Sequence, residues 1–375
     1  MDPSARKVVD AVRAGGHVVY FVGGCVRNAL LGTDAADVDL STDAHPERVI
    51  ELVQNAGLKA IPTGIAHGTI TVVAEGNPFE VTTFRRDVET DGRRAVVAFA
   101  STMGEDALRR DFTINALYAD PQGRVHDPVG GLPDIALRRV RFIGDAAERI
   151  NEDRLRMLRF FRFTAWYADP NAGMDADALA AIAEAADAAK HLSAERVGAE
   201  MRKLLAAPDP APALAAMQHS GLGQAVLPGS DAEPMARLVH VEGVLDLTPD
   251  PLRRLAGLTG DASGLRLSKA DQRKHDLLRA EVGAATGPGA LAYRYGSDMA
   301  RDIIALRAAL LEQSWPDDLE ARVAAGASAK FPLRAADLPL DGKPLGDALR
   351  AAEAAWIASG FSLSRPQLIT YALNG

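Results

Sequence analysis

The chain has 375 residues, enough at ~100–200 residues per domain for two or three domains, and its 47% apolar and 25% charged residues exclude disorder as the main state. A formal net charge of −8 argues against a protein that coats nucleic acid by bulk charge, while leaving room for a local basic groove. The single cysteine, Cys25, excludes a disulfide framework or a cysteine-built zinc site and suits a reducing compartment.

The N-terminal Met1–Gly16 segment mixes Asp2, Arg6, Lys7, Asp10 and Arg13, with no apolar run behind a basic start, so it does not read as a signal peptide. No stretch approaches the ~18 uninterrupted apolar residues of a membrane span, and the expected location is cytoplasmic. Strand-like runs rich in β-branched residues follow at His17–Val22, Val38–Leu40, Thr69–Val73 and Phe79–Phe84, with helical patterns at Cys25–Leu31 and Pro46–Asn55. Arg85–Ala100 is charged and contains Gly, and it reads as a mobile loop. From about Arg138 strand signals vanish; Ala-rich helical stretches succeed one another, broken at Pro208–Pro212, Leu227–Ser230, Pro249–Pro251 and Thr286–Gly289. The expectation is an α+β head with a mixed sheet over residues 1–137, a helical neck over 138–205, and a helical body and tail over 206–375.

Three features carry chemistry. The run Val18–Gly24 (VVYFVGG) ends a strand in a Gly pair and passes straight into a helix, where free N–H groups and close backbone approach at Gly23 and Gly24 suit a phosphate; Arg27, one turn in, can add a charged fork. Alone, such a pair is also an ordinary tight turn. In Asp37–Val38–Asp39 the two carboxylates fall on one face of a strand, a like-charge pair that a hard cation such as Mg²⁺ would relieve; alone, it is also a solvated strand end. Glu80, in the strand-like FEVTTF, offers a third carboxylate, completing the inventory of a two-metal nucleotidyl-transfer site.

The segment GGCVRNALLGTDAADVDLSTDA resembles the signature of polymerase-β-type nucleotidyltransferases, in the class II branch that holds tRNA CCA-adding enzymes and bacterial poly(A) polymerases. Four further segments agree in order: RRDFTINAL (Arg109–Leu117), HDPVGGLPDI (His126–Ile135), EDRLRMLRFFRF (Glu152–Phe163) and ERVGAEMRKLL (Glu195–Leu205). The resemblance covers residues 18–205. It implies metal binding by Asp37 and Asp39 with two Mg²⁺ ions, catalytic help from Glu80, triphosphate contacts from Gly23, Gly24 and Arg27, and orientation of the nucleotide sugar and phosphates by Arg110, Asp111 and Asn115. HDPVGGLPDI would be the flexible link from head to neck, and ERVGAEMRKLL the support of a nucleotide-selecting helix.

On that helix Asp153 and Arg156 stand at i and i+3, hence on one face, with Arg159 following. A carboxylate acceptor beside a guanidinium donor matches the amino donor and ring-nitrogen acceptor of cytosine and adenine, and mismatches guanine and uracil. Between Arg138 and Arg162 eight arginines face four acidic residues, a local surplus suited to an RNA end. The function expected is template-independent addition of C, C and A to the 3′ end of tRNA from CTP and ATP. Partners would be the tRNA acceptor end and the two nucleotides, with no membrane and no obligate protein partner evident. A poly(A) polymerase, an enzyme adding only CC or only A, and a catalytically inactive RNA-binding protein remain the alternatives. Two His-Asp pairs spell the core of a metal phosphohydrolase: His126–Asp127 is accounted for within HDPVGGLPDI, and His275–Asp276 would need further His and Asp ligands, for which His219 and His240 are poor candidates.

Overall fold

A Pro near its start and an Asp2 carboxylate that accepts the Ser4 and Ala5 N–H groups begin the first helix, α1 (Pro3–Ala14). Strand β1 (Val19–Val22) and helix α2 (Gly24–Leu31) follow, then β2 (Asp39–Thr42) and α3 (Pro46–Asn55). A meander of β3 (Lys59–Gly64), β4 (Thr69–Ala74) and β5 (Asn77–Thr83) completes one side of the sheet. The structure is a computed structural model in which residues 2–34, 37–90 and 95–374 are described.

The seven-stranded sheet has the order β3-β4-β5-β2-β1-β8-β9, where β8 is Tyr118–Ala119 and β9 is Val125–His126. Only β2 and β5 run parallel; the other neighbours are antiparallel. The apolar sides of α1 and α3 pack on one face, where Val8, Val12, Val49, Val53, Leu40, Ile70 and Val81 are fully buried. On the opposite face Tyr20 and Val22 of β1 pack with Phe84, Ala107, Tyr118 and Ile143 in a second apolar cluster. Strand β3 lies outside the sequence reading because its KAIPTG run does not alternate and is half exposed at the sheet edge.

Arg85–Ala100, expected as a mobile loop, is corrected in its two arms. β6 (Arg85–Thr90) and β7 (Ala95–Phe99) pair antiparallel, from Arg85↔Phe99 to Thr90↔Ala95. The alternation in AVVAF and the ladder across from it outweigh the charge; residues 91–94, and Ala35–Ala36 of the Gly-to-Asp signature, lie outside the described residues.

Beyond α4 (Met103–Leu108) and α5 (Gly131–Ala136), helices succeed one another with no strand among the described residues. They are α6 (Ala146–Glu152), α7 (Arg156–Tyr167), α8 (Ala176–Ala185), α9 (Ala194–Leu205), α10 (Ala211–His219) and α11 (Leu222–Val226). The chain divides into two compact units, Met1–Pro228 and Gly229–Gly375. The second holds α12 (Pro234–Val244), α13 (Pro251–Gly257), α14 (Lys269–Val282), α15 (Pro288–Tyr295), α16 (Ser297–Leu311), α17 (Leu319–Ser328), α18 (Gly342–Ala358) and α19 (Arg365–Asn374). Among the described residues no helix is long and apolar enough to cross a membrane.

Candidate active site

The site in the first unit begins at the turn between β1 and α2. Gly23 holds φ 72°, in the left-handed region, and a Cβ there would stand 3.4 Å from Arg110 Nη1 and 3.7 Å from the Asn115 carbonyl oxygen. Glycine therefore lets the start of α2 lie against the Arg109–Leu117 segment, and the Gly23 N–H donates to the Leu117 carbonyl at 3.2 Å. Gly24 opens the helix, whose first N–H groups have no side-chain cap.

Asp39 is the first residue of β2 and the register partner of Glu80 on parallel β5, so both carboxylates rise from one face of adjacent strands. The strand does not extend back to Asp37, which corrects the reading of both aspartates as alternate residues of one strand. β1 ends at Val22 and turns away at Gly23, leaving no ladder partner for Asp37. Asp37 nonetheless acts on Asp39: burial and the negative Glu80 raise the Asp39 carboxyl above its ordinary value, Arg110 pulls it down, and Asp37 adds a further push upward. Asp37 and Glu80 are exposed, while Asp39 is half-buried.

Arg110 is held by groups that the sequence reading did not find. Its Nη2 donates to Asp106 Oδ2 at 3.0 Å and its Nε to the Tyr118 hydroxyl at 3.1 Å; that hydroxyl donates to the same Asp106 oxygen at 2.7 Å. Burial raises the fully enclosed Asp106 carboxyl, but Arg110, Arg109 and the Tyr118 hydroxyl outweigh it and hold it below the ordinary range. The signal was available in part, since Asp106 precedes Arg110 by four residues, the spacing of a helical ion pair.

Asp111 anchors a second set. Its Oδ1 accepts from the Phe112 N–H at 2.8 Å and Asn115 Nδ2 at 3.0 Å, and its Oδ2 accepts from Arg159 Nε at 2.7 Å. Burial raises this carboxyl, and Arg159 with these hydrogen bonds brings it below its usual value. Asn115 Oδ1 in turn accepts from Arg27 Nη1 at 2.5 Å. Arg27 is 6% exposed, bonded also to Asn28 Oδ1 and at 2.8 Å to the Tyr167 hydroxyl, and its guanidinium lies 3.9 Å from the Tyr167 ring centroid. The expectation of a guanidinium offered to a triphosphate is thereby corrected: four of its five N–H donors already have partners inside the protein.

The nucleotide-selecting segment is also rearranged. Asp153 lies outside both helices, ending α6 in extended backbone (φ −150°, ψ 104°), and α7 begins only at Arg156. One helical face therefore does not carry both residues. The Asp153 carboxylate breaks the helix by accepting the Leu155 N–H at 3.1 Å, and its other oxygen takes Arg196 Nη2 of α9 at 2.6 Å. Arg156 pairs with Glu152 and donates to the carbonyls of Arg149 and Arg109, each at 3.0 Å. Its Nε has no partner among the described residues. Arg196 stands in the ERVGAEMRKLL segment, so its place was marked although its partner was not.

The Asp127–Ile135 segment is tied down. Asp127 accepts the N–H groups of Gly131 and Leu132 at 2.7 and 2.9 Å, and a Cβ at Gly131 would fall 2.3 Å from the Thr113 carbonyl oxygen. Asp127 is thus a cap, and among the described residues no three His, Cys, Asp or Glu side chains gather closely enough to hold an ion alone. Cys25 is buried, with its thiol directed at the Val22 carbonyl 3.4 Å away. Burial raises that thiol, as befits a packing residue.

Comparison with known proteins agrees with this arrangement. Residues 19–141 match the family described as "Poly A polymerase head domain", and residues 173–233 match "Probable RNA and SrmB-binding site of polymerase A". Within the first unit, residues 19–141 are thus similar to a poly A polymerase head domain. More narrowly, the chain is related to CCA-adding enzymes. It is 41% identical over 231 residues to the CCA-adding enzyme of Geobacillus kaustophilus, an alignment covering 61% of this chain and 54% of that protein. It is 42% identical over 190 residues to human mitochondrial CCA tRNA nucleotidyltransferase 1, covering 50% and 44%. The chain spans about half the length of the curated relatives it matches. In fold it resembles the Bacillus stearothermophilus CCA-adding enzyme crystallised with CTP (TM-score 0.73, 28% identity, 100% of this chain and 98% of that one).

Proposed function

We propose that the chain is a template-independent nucleotidyltransferase that adds C, C and A to the 3′ end of tRNA from CTP and ATP, acting in the cytoplasm. The observation that carries this reading is the register pairing of Asp39 with Glu80, reinforced by Asp37, on a sheet face that also meets Arg110 and the glycine-started helix α2. Carboxylates gathered until one resists ionising suit a divalent cation. The donor set fits Mg²⁺, which takes one or two carboxylates and completes its shell with phosphate and water oxygens. Asp37 and Asp39 would hold two such ions, which supply activation of the attacking hydroxyl and neutralisation of the triphosphate.

The remaining roles belong to the chain itself. The tRNA 3′ oxygen attacks the α-phosphorus, losing its proton toward Glu80 or solvent, and pyrophosphate leaves. Gly23 and Gly24 present N–H groups to the triphosphate at the start of α2. Arg110, pre-aimed by Asp106 and Tyr118, faces the same phosphates; Asp111 and Asn115, with Arg159, shape the sugar side. Asp153 accepts the exocyclic amine of the base and the free Arg156 Nε donates to its ring nitrogen. Carboxylate oxygens have two lone pairs each, so the bond to Arg196 leaves Asp153 acceptor capacity. Functionally the chain divides into a head over 1–137, a neck over 138–205, and a body and tail over 206–375 that hold the acceptor arm by shape and backbone.

The test is incorporation of each nucleotide, in turn, into a tRNA transcript lacking its 3′ CCA, with Mg²⁺ and single-nucleotide resolution. Growth by three, needing CTP and then ATP and refusing UTP and GTP, is expected. A long ATP-only ladder would replace the reading with a poly(A) polymerase, a stop after two C with a CC-adding enzyme, and no incorporation with an RNA-binding protein.

A further inference from the structure

Arg27 sits between the two halves of the proposed site. Besides Asn28 beside it on α2, it bonds Asn115 in the head and the Tyr167 hydroxyl in the last turn of α7, and it stacks on the Tyr167 ring. Asn115 passes the contact to Asp111, and Asp111 to Arg159, which is again on α7. α7 is therefore gripped by the head twice, eight residues apart on one side of the helix, at Arg159 and at Tyr167. Its first residue is Arg156, so a turn or slide of α7 would carry the base-reading guanidinium with it. An arginine that is 6% exposed, with a ring on one side and four donors occupied, is built to hold helices together rather than to meet a triphosphate.

We propose that Arg27 is a positioning residue that, with Tyr167, clamps α7 onto the head and so sets nucleotide selectivity. This rests on the function proposed above. The clamp is short-ranged and directional: a stacked guanidinium on a tyrosine ring adds cation–π attraction to the hydrogen bonds, and lysine reproduces neither the plane nor the fork.

The experiment compares wild type, Tyr167→Leu, Tyr167→Phe and Arg27→Lys in the full chain. Three quantities are measured: kcat and KM for CTP and UTP separately, melting temperature, and hydrogen exchange of amides 156–163. Tyr167→Leu and Arg27→Lys should lower the CTP-over-UTP ratio of kcat/KM by about tenfold. Tyr167→Phe, which keeps the stack and loses the hydroxyl, should lower it about threefold. Exchange at 156–163 should rise in the same order. An unchanged ratio with a lower melting temperature would make the contact merely structural and overturn the proposal. A KM raised equally for CTP and UTP in Arg27→Lys, with silent Tyr167 variants, would return Arg27 to the triphosphate and overturn it too. If wild type incorporates nothing, the functional reading fails on its own; exchange at 156–163 still decides the clamp, faster exchange in Tyr167→Leu supporting it and unchanged exchange removing it.

Discussion

Two groups of charge, one in each unit, solve opposite problems. In the second unit Glu242 accepts from Arg253 Nε at 2.9 Å and Arg254 Nη2 at 2.7 Å; Asp302 takes Arg253 Nη1 at 2.5 Å and Lys274 at 3.2 Å; Lys274 closes the set on Asp250 at 2.7 Å. Three acids meet three bases, and burial is offset by pairing at every step. In the head, half-buried Asp39 feels the negative charges of exposed Glu80 and Asp37 and, against them, Arg110, which is itself bonded to Asp106 and Tyr118. The first arrangement holds helices α12, α13, α14 and α16 in place. The second leaves Asp39 among like charges that water screens and that a cation would relieve further.

The comparison breaks first at Asp39. Asp39→Asn should abolish nucleotide incorporation by at least about 10³-fold, as expected when one preorganised charge is taken from a transition-state clamp, while the melting temperature stays level or rises because a like-charge neighbour is gone. A variant that loses activity only in step with its stability would put Asp39 in the same class as Glu242. Glu242→Gln is the converse experiment. Removing the negative charge that Arg253 and Arg254 share while both stay buried should cost about 3 kcal/mol in denaturant unfolding of the second unit. The per-molecule turnover of the folded fraction at the head should be retained. An undisturbed unfolding midpoint would show that the network is not what binds those helices.

Much of this was legible because the informative residues are chemically exceptional: two glycines at a strand end, two aspartates separated by one residue, an arginine-rich helix start. Local pattern located β1, α2, β2, α3, β4 and β5; of the Pro/Gly breaks, Leu227–Ser230 fell between helices and the other three ran into the first turn of α10, α13 and α15. What escaped was set by partners distant in the chain. Whether Asp153 continues a helix depends on its carboxylate preferring the Leu155 N–H and Arg196, 43 residues away, and no spacing within EDRLRM encodes that. Tyr167 carries no motif at all; its role comes from a guanidinium 140 residues earlier. The β6–β7 arms were hidden by charges that lie on a two-stranded ribbon as comfortably as in a loop.

A smaller effect follows from the Asp153–Arg196 pair. Arg196→Met keeps the stem of the side chain and removes the bond, so Asp153 is free to swing. Nucleotide selectivity, measured as the CTP-over-UTP ratio, should fall by about tenfold with KM for tRNA unchanged. Asp153→Asn, which offers a donor where the base needs an acceptor, should instead relax rejection of UTP more than it slows CTP. If Arg196→Met leaves selectivity intact, the salt bridge belongs with the structural pairs of the second unit.

The smallest effect separates the two kinds of charge by pH and Mg²⁺. Asp106, Asp111 and Asp250 are held below their ordinary value, so the stability they contribute is complete above the unfolded carboxyl range and is lost as pH falls through their folded values. Asp39 is raised, so its sign is opposite. Its folded carboxyl keeps a proton that the unfolded chain has released, and its ionisation withdraws stability as pH climbs from the ordinary carboxyl range through the raised value. Above that window a bound cation should restore what ionisation withdrew. At neutral pH, Mg²⁺ at ten times its dissociation constant should therefore add about 1.4 kcal/mol to the head, a rise of roughly 3–6 °C in melting temperature. The rise should shrink as the pH is brought down through the Asp39 transition and vanish in Asp39→Asn, while Glu242→Gln keeps it in full. An equal rise in Asp39→Asn would mean that Mg²⁺ acts elsewhere on the chain, and that the carboxylates of the head are not its site.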